Sequence, residues 1–204
     1  MKCFRNVLFC LLLVSTFSGN GYGQSIKKSG SFPRLALGAG VGLELTGAYN
    51  VRAGTHDLYS FIPIPLGFVL PSLHANWFFQ DFFSWDGELR MGLFQHTIFT
   101  AEVGTSFSFY VGRGHHKFIL SPGASLGHMN AFHTWSIVYQ GFLRLGYEYR
   151  PRKGSVYRLL FRMAAGYAPF DGPVPAGQAP APHQVESFNP WSMGINLQVM
   201  RFGL

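Results

Sequence analysis

Charge is scarce in this sequence. Asp, Glu, Lys and Arg make up 12% of its 204 residues, about half the ~25% of an ordinary soluble domain. Either the core is unusually large or the outside of the molecule does not face water. Long hydrophobic runs are also missing. None approaches the ~20 residues of a spanning helix, so any membrane role must use another architecture. Cysteine is confined to Cys3 and Cys10. Both fall within a segment that reads as a secretory signal: a basic start at Lys2 and Arg5, the apolar run "VLFCLLLV" (Val7–Val14), then "NGYGQS". Cleavage is expected after Gly23, leaving Gln24 first. Cys10 comes too early for a lipoprotein site. The mature chain therefore has no disulfide framework and no thiol chemistry. Its formal charge falls from +7 to +5 once Lys2 and Arg5 are removed. In an exported chain that excess is no argument for nucleic acid as a partner.

Three further motif classes are absent. "GAGVG" (Gly38–Gly42) fails as a dinucleotide fingerprint, because Leu43 stands where the third glycine belongs and no helix follows. There is no phosphate loop and no zinc-protease helix motif. Cofactor and metal sites are therefore both expected to be none.

What the sequence does have is period-2 alternation. In "RLALGAGVGLELTGAY" (Arg34–Tyr49), Leu35, Leu37, Ala39, Val41, Leu43 and Leu45 alternate with Gly38, Gly40, Gly42, Glu44 and Thr46. A loop is expected over Asn50–Phe61. The second strand has Leu66, Phe68 and Leu70 on even positions, but Leu73, Ala75, Trp77 and Phe79 on odd ones. A one-residue slip reverses faces, and a bulge restores them. Proline cannot donate to a ladder, so a bulge is expected near Pro71; the alternative is a strand shortened to Ser72–Phe79. A turn at Gln80–Phe83 leads to a third strand (Leu89, Met91, Leu93 against Asp86, Glu88, Arg90). The fourth runs through Val103–Val111, and "GRGHHK" turns into a fifth at Phe118–Leu126. The sixth begins near Trp135 and ends at Tyr149. "PRKGS" (Pro151–Ser155) turns into the seventh, Tyr157–Tyr167. A long loop, Pro169–Pro190, holds six of the twelve prolines, and the eighth strand starts at Trp191. Eight strands with no helix predict one all-β domain. The expected layout is a signal peptide at 1–23, a periplasmic lead-in at 24–33 and a barrel over 34–204.

Alternation alone does not say which face is outside. The polar face is rich in Gly, Ser and Ala, with isolated Glu and Arg rather than a coat of lysine. Aromatics mark both ends of the apolar face: Tyr49, Trp135, Tyr167 and Trp191 at one, Trp77, Phe79, Tyr147, Tyr149 and Tyr157 at the other. Such girdles suit two membrane interfaces. The ten steps from Tyr157 to Tyr167 rise roughly 23 Å at ~3.3 Å per step and ~45° tilt, close to the ~25 Å apolar band of outer-membrane barrels. The connections after strands 2, 4 and 6 are compact and those after 1 and 7 long, as in such barrels; the connection near Gln95–Thr97 is short and fits less well. Hydrocarbon cannot satisfy a free sheet edge, so the strands should close. The fold expected is an eight-stranded antiparallel up-and-down transmembrane β-barrel.

On these features the chain resembles the small eight-stranded outer-membrane barrels, the OmpA/OmpX-like group, in particular the outer membrane protein beta-barrel domain type of Bacteroidetes-like bacteria. The pattern covers Arg34–Leu204. The best local match is Ser192–Val199, "SMGINLQV", which is similar to the signal that barrel-assembly machinery reads on a last strand; the chain then runs on to Leu204, where many members end in an aromatic. The resemblance implies a bacterial outer-membrane location, contact with outer-membrane lipid and lipopolysaccharide, handling by the assembly machinery, and a monomer.

The lumen of such a barrel is just wide enough for side chains. Glu44, Asp86, Glu88, Arg90, Glu102, Arg144, Glu148, Arg158 and Arg162 are expected to point inward and pair by opposite sign. A structural or surface-interaction role, without catalysis, follows. The alternatives are a lipid A-modifying deacylase or acyltransferase, for which His128 and His133 near Ser125 and Ser136 are the candidates, and a narrow channel. His115 and His116 lack a third metal ligand and read as turn residues. The Pro169–Pro190 loop is a candidate contact segment.

Overall fold

The computed structural model describes residues 34–53, 56–94, 98–131, 134–151, 154–169 and 187–202. The signal segment, the lead-in and residues 170–186 lie outside the described residues. Eight strands follow in order: β1 (Arg34–Ala53), β2 (His56–Gln80), β3 (Phe83–Phe94), β4 (Ile98–Val111), β5 (His116–Ala131), β6 (Thr134–Tyr149), β7 (Ser155–Pro169) and β8 (Ser187–Phe202). Each pairs antiparallel with its sequence neighbours, and β8 returns to pair with β1, giving a closed barrel.

The alternation sorts inside from outside without ambiguity. Leu35, Leu37, Leu43 and Leu45 of β1 are exposed, while Ala36, Glu44 and Thr46 are buried. Along β4, Val103, Phe107, Phe109 and Val111 are exposed, and Glu102, Ser106, Ser108 and Tyr110 are buried. The apolar face is the outer one. The bulge at Pro71 is present: Gly40 pairs with Ser72 and Gly42 with Val69, so Leu70 and Pro71 together oppose Val41. The same extra residue appears on the other side, where Val69 pairs with Gly92 and Leu73 with Leu89. Leu73 is thereby exposed on the same outer face as its partner Leu89 and as Leu43. A second shift places Pro65 and Leu66 opposite Leu45.

Two boundaries differ from the sequence reading. Asn50–Phe61 is not a loop: β1 and β2 continue pairing to Ala53↔His56, because backbone bonding does not require apolar alternation beyond the apolar band. β8 begins at Ser187 rather than Trp191, with Ser187 opposite Pro169 and Pro190 opposite Ala48. β6 begins at Thr134, beside the expected Trp135.

The termini of the barrel, Arg34 and Phe202, lie at the same end as the connections after β2, β4 and β6. This turn end is tightened by glycines in the left-handed region, Gly114 at φ 64° and Gly154 at φ 78°, where other residues are strained.

Candidate functional site

Among the described residues, charged and polar side chains are concentrated in the lumen. All nine expected residues are buried inside it: Glu44, Asp86, Glu88, Arg90, Glu102, Arg144, Glu148, Arg158 and Arg162. Lys117 joins them. Among the described residues the buried interior thus holds five carboxylates and five cations, besides His74. Isolated charges there would be prohibitive, whereas paired and hydrogen-bonded charges are tolerated.

Three tiers are stacked along the axis. Farthest from the turn end is a four-membered ring of alternating charge. Arg90 Nη1 lies 2.5 Å from Glu44 Oε2 and its Nη2 3.2 Å from Glu102 Oε1. Arg162 closes the ring, 3.2 Å from Glu44 Oε1 and 3.4 Å from Glu102 Oε2. Arg162 also donates to Ser192 (3.2 Å) and Gln140 (3.3 Å), and Ser125 donates to Glu102 at 3.3 Å. The middle tier holds Ser72, His74, Glu88 and Arg144. His74 Nε2 shares a 2.7 Å hydrogen bond with Ser72 Oγ, and its Nδ1 is 3.7 Å from Glu88 Oε2. Arg144 Nη2 is 3.0 Å from the same oxygen. The Arg144 guanidinium lies 4.4 Å above the Phe142 ring. A cavity of about 10 Å³ opens between Glu44, Glu88, Arg90, Arg144, Arg162 and Asn196, room for about one water.

Nearest the turn end, Arg158 Nε donates to Glu148 at 2.5 Å and Nη1 reaches Asp86 at 3.5 Å, while its Nη2 donates to the Tyr110 hydroxyl. Ser84 donates to Asp86 at 2.7 Å, and Ser108 also donates to that carboxylate. Beneath this tier Phe78, Tyr110 and Phe202 pack with Ala36, Ile119, Val156, Leu160 and Met200 into an apolar plug; the Phe78 ring stands 5.6 Å from Tyr110 and 5.2 Å from Phe202. Arg150 lies over the plug, 4.6 Å from the Phe78 ring and 4.8 Å from Tyr110. It is held by Glu148 and by Asp81 at 2.7 Å. Lys117 Nζ reaches Asp81 Oδ2 at 2.5 Å. Partial burial pushes the Asp81 carboxyl up. The Lys117 hydrogen bond and charge, with Arg150 and Arg34, outweigh it and hold the group below its ordinary 3.8.

His74, Ser72, Tyr110, Lys117, Asp81 and Arg150 were not among the sequence candidates. The first four were accessible from alternation, since each falls between two outward apolar positions or beside one; Asp81 and Arg150 lie in connections, where alternation carries no information.

The aromatic rows are outward. Trp77, Phe79, Tyr147, Tyr149, Tyr157 and Tyr167 are exposed. Trp191 is partly exposed and lies across Gly47, where a Cβ would overlap its ring. Tyr49 and Trp135 sit in β1 and β6, and their side chains lie outside the described residues. His115 and His116 are exposed at the turn end. His115 Nδ1 meets the Arg150 carbonyl at 2.5 Å, and His116 Nδ1 meets the Tyr147 hydroxyl. Among the described residues no three His, Cys, Asp or Glu side chains converge as metal ligands. Among the described residues, His128 is not brought together with Ser125 or Ser136. His128 faces outward, while Ser125 and Ser136 face the lumen, where Ser125 bonds Glu102 and Ser136 donates to the Pro169 carbonyl. His133 lies outside the described residues.

Closed antiparallel topology, an apolar exterior and a charged, filled interior define the class: a small eight-stranded barrel of the outer-membrane type. Among solved structures, the chain is similar to Neisserial surface protein A (NspA), with 11% identity and a TM-score of 0.51, over 81% of this chain and 96% of that one. OprG from Pseudomonas aeruginosa aligns at 9% identity and a TM-score of 0.44, over 84% and 97%. Ail, the attachment invasion locus protein of Yersinia pestis, aligns at 11% and 0.36, over 80% and 97%. The likeness to NspA establishes the shared fold. No family model matches the chain, and no curated protein does.

Proposed function

We propose that this chain is an integral protein of the bacterial outer membrane with a structural or surface-interaction role and no catalytic one. The observation that carries the reading is the inversion of the usual polarity. Large apolar side chains such as Leu73, Val103, Phe118 and Ile195 are exposed all round the barrel, while ten charged side chains are buried and paired within it. In water that arrangement would leave an apolar surface far beyond the few hundred Å² a soluble monomer tolerates; in a bilayer it is the stable one. Export follows from the signal at 1–23. Lipid and lipopolysaccharide are the surrounding partners, assembly is by the barrel machinery, and the barrel works as a monomer.

A lipid A-modifying activity is less well supported, because the only Ser–His hydrogen bond among the described residues, Ser72–His74, is sealed in the lumen. A channel is opposed by the charge ring and the Phe78–Tyr110–Phe202 plug. The test is fractionation with gel mobility of unboiled against boiled samples. Recovery in the outer membrane with a heat-dependent shift is expected; a soluble protein with no shift refutes the reading. An altered lipid A mass profile on deleting the gene would restore the enzyme, and steady single-channel conductance would restore the pore.

A further inference from the structure

The outer wall is not uniformly bulky. Strand pairing aligns two outward rows across β1, β8, β7 and β6. One row runs Ala39, Val199, Tyr157, Tyr149, and the next Val41, Leu197, Leu159, Tyr147. The first begins with Ala39 and Val199, the second with Val41 and Leu197, and both end on tyrosine, so the wall is lowest at Ala39 and rises toward β6. The result is a groove of about 270 Å³ with an almost wholly apolar lining. Its tyrosine rim is braced, since the Tyr147 hydroxyl is bonded to His116. One row nearer the turn end, Arg201 pairs with Leu37 and Ser155 and is exposed on the same face.

We propose that this groove is a glycerophospholipid site: Arg201 takes the headgroup phosphate and one acyl chain lies along the two rows. The inference rests on the membrane placement proposed above. An acyl chain in a groove gains dispersion contacts on more sides than it does against a flat wall. A guanidinium matches phosphate geometry, and is more weakly hydrated than an ammonium. Tyrosine rings sit at the headgroup level where such a lipid would need its wall to end. The occupant is a glycerophospholipid rather than lipid A because Arg201 lies at the end that carries both barrel termini and the short connections, and in outer-membrane barrels the short turns face the periplasm.

The experiment is native mass spectrometry of the full barrel in neutral detergent with added phosphatidylglycerol. The wild type should keep one phosphatidylglycerol after others are stripped. Ala39→Trp fills the groove floor and should abolish that adduct. Arg201→Gln should lower occupancy about fivefold, the equivalent of about 1 kcal/mol for one basic contact at a membrane surface. Diacylglycerol, which lacks the phosphate, should bind the wild type no better than phosphatidylglycerol binds Arg201→Gln. Unboiled gel mobility verifies folding, and Val199→Phe replaces Ala39→Trp if that variant does not fold. A folded wild type that keeps no lipid, or a groove-filled variant that binds normally, overturns the site. Preferential retention of purified lipid A overturns the phospholipid assignment. Those outcomes leave the membrane reading intact, whereas a wild type that stays monodisperse without detergent overturns that reading itself.

Discussion

Replacing Glu44 by Gln tests the idea that charge balance, rather than any single bond, holds the lumen together. Glu44 is shared by two arginines, Arg90 at 2.5 Å and Arg162 at 3.2 Å, and both also share Glu102. The four groups sum to zero. Glu44→Gln removes one negative charge and leaves two guanidiniums on one carboxylate, with all members buried. Breaking a buried pair from one side costs about 3–5 kcal/mol, most of it for stranding the remaining charge. The Gln carbonyl keeps one acceptor, so a loss of about 3 kcal/mol is expected. If stranding is the cause, removing the surplus cation should help. Glu44→Gln with Arg162→Met leaves Arg90 and Glu102 as a neutral pair, and the double variant should be more stable than the sum of the single changes by about 1–3 kcal/mol. Urea titration in lipid vesicles, read as the fraction of heat-modifiable folded band, measures all three variants. A Glu44→Gln loss within about 0.5 kcal/mol of zero, the ordinary range for an indifferent substitution, would refute the reasoning. Strict additivity in the double variant would do the same.

Other outcomes follow from single features. Gly38→Ala should prevent normal closure, because its Cβ would overlap the Val199 carbonyl and the Met200 side chain; Gly141→Ala, which meets nothing within 4 Å, should fold as the wild type by gel mobility. Phe78→Ala empties the centre of the plug and should cost about 3–5 kcal/mol in the same urea titration. Asp81 has a lowered folded pKa, so its contribution is complete above the ordinary value of 3.8 and is lost as pH falls through the lower folded value. The wild type should therefore lose stability relative to Asp81→Asn in that acid window, read by the same urea titration. Gly114→Ala should destabilise by about 1 kcal/mol through its left-handed backbone.

Much of the barrel was readable because a wall between hydrocarbon and a packed lumen forces strict alternation. That constraint placed Glu44, Arg90, Glu102 and Arg162 inside, and turned the parity change at Pro71 into a bulge. It weakens where strands extend past the apolar band, which is why Asn50–Phe61 read as loop although its backbone remains paired to Ala53↔His56. The partners within the lumen were not readable. Glu44 and Arg162 are 118 residues apart, and their meeting depends on the shear with which β8 closes on β1. Lys117 and His74 carried a usable signal in their outward neighbours Phe118 and Leu73. The latch of Asp81 and Arg150 had none, because two connections distant in sequence meet only once the barrel exists.

The glycines of β1 bear on how the wall closes. β1 and β8 are the first and last strands, so their seam is the one pairing of the barrel that does not join sequence neighbours. Through Gly38, Gly40 and Gly42, β1 lies against Met200, Gln198 and Asn196 with no side chain of its own to bring past them. β1 can therefore lie flush along β8 from the turn end as far as Gly42. Glu44 is the first fully buried charge beyond that run, and closing β8 on β1 brings Arg162 of β7 to it. The fourth side of the charge ring thus exists only in the closed barrel, so closure and charge pairing are one event at this seam.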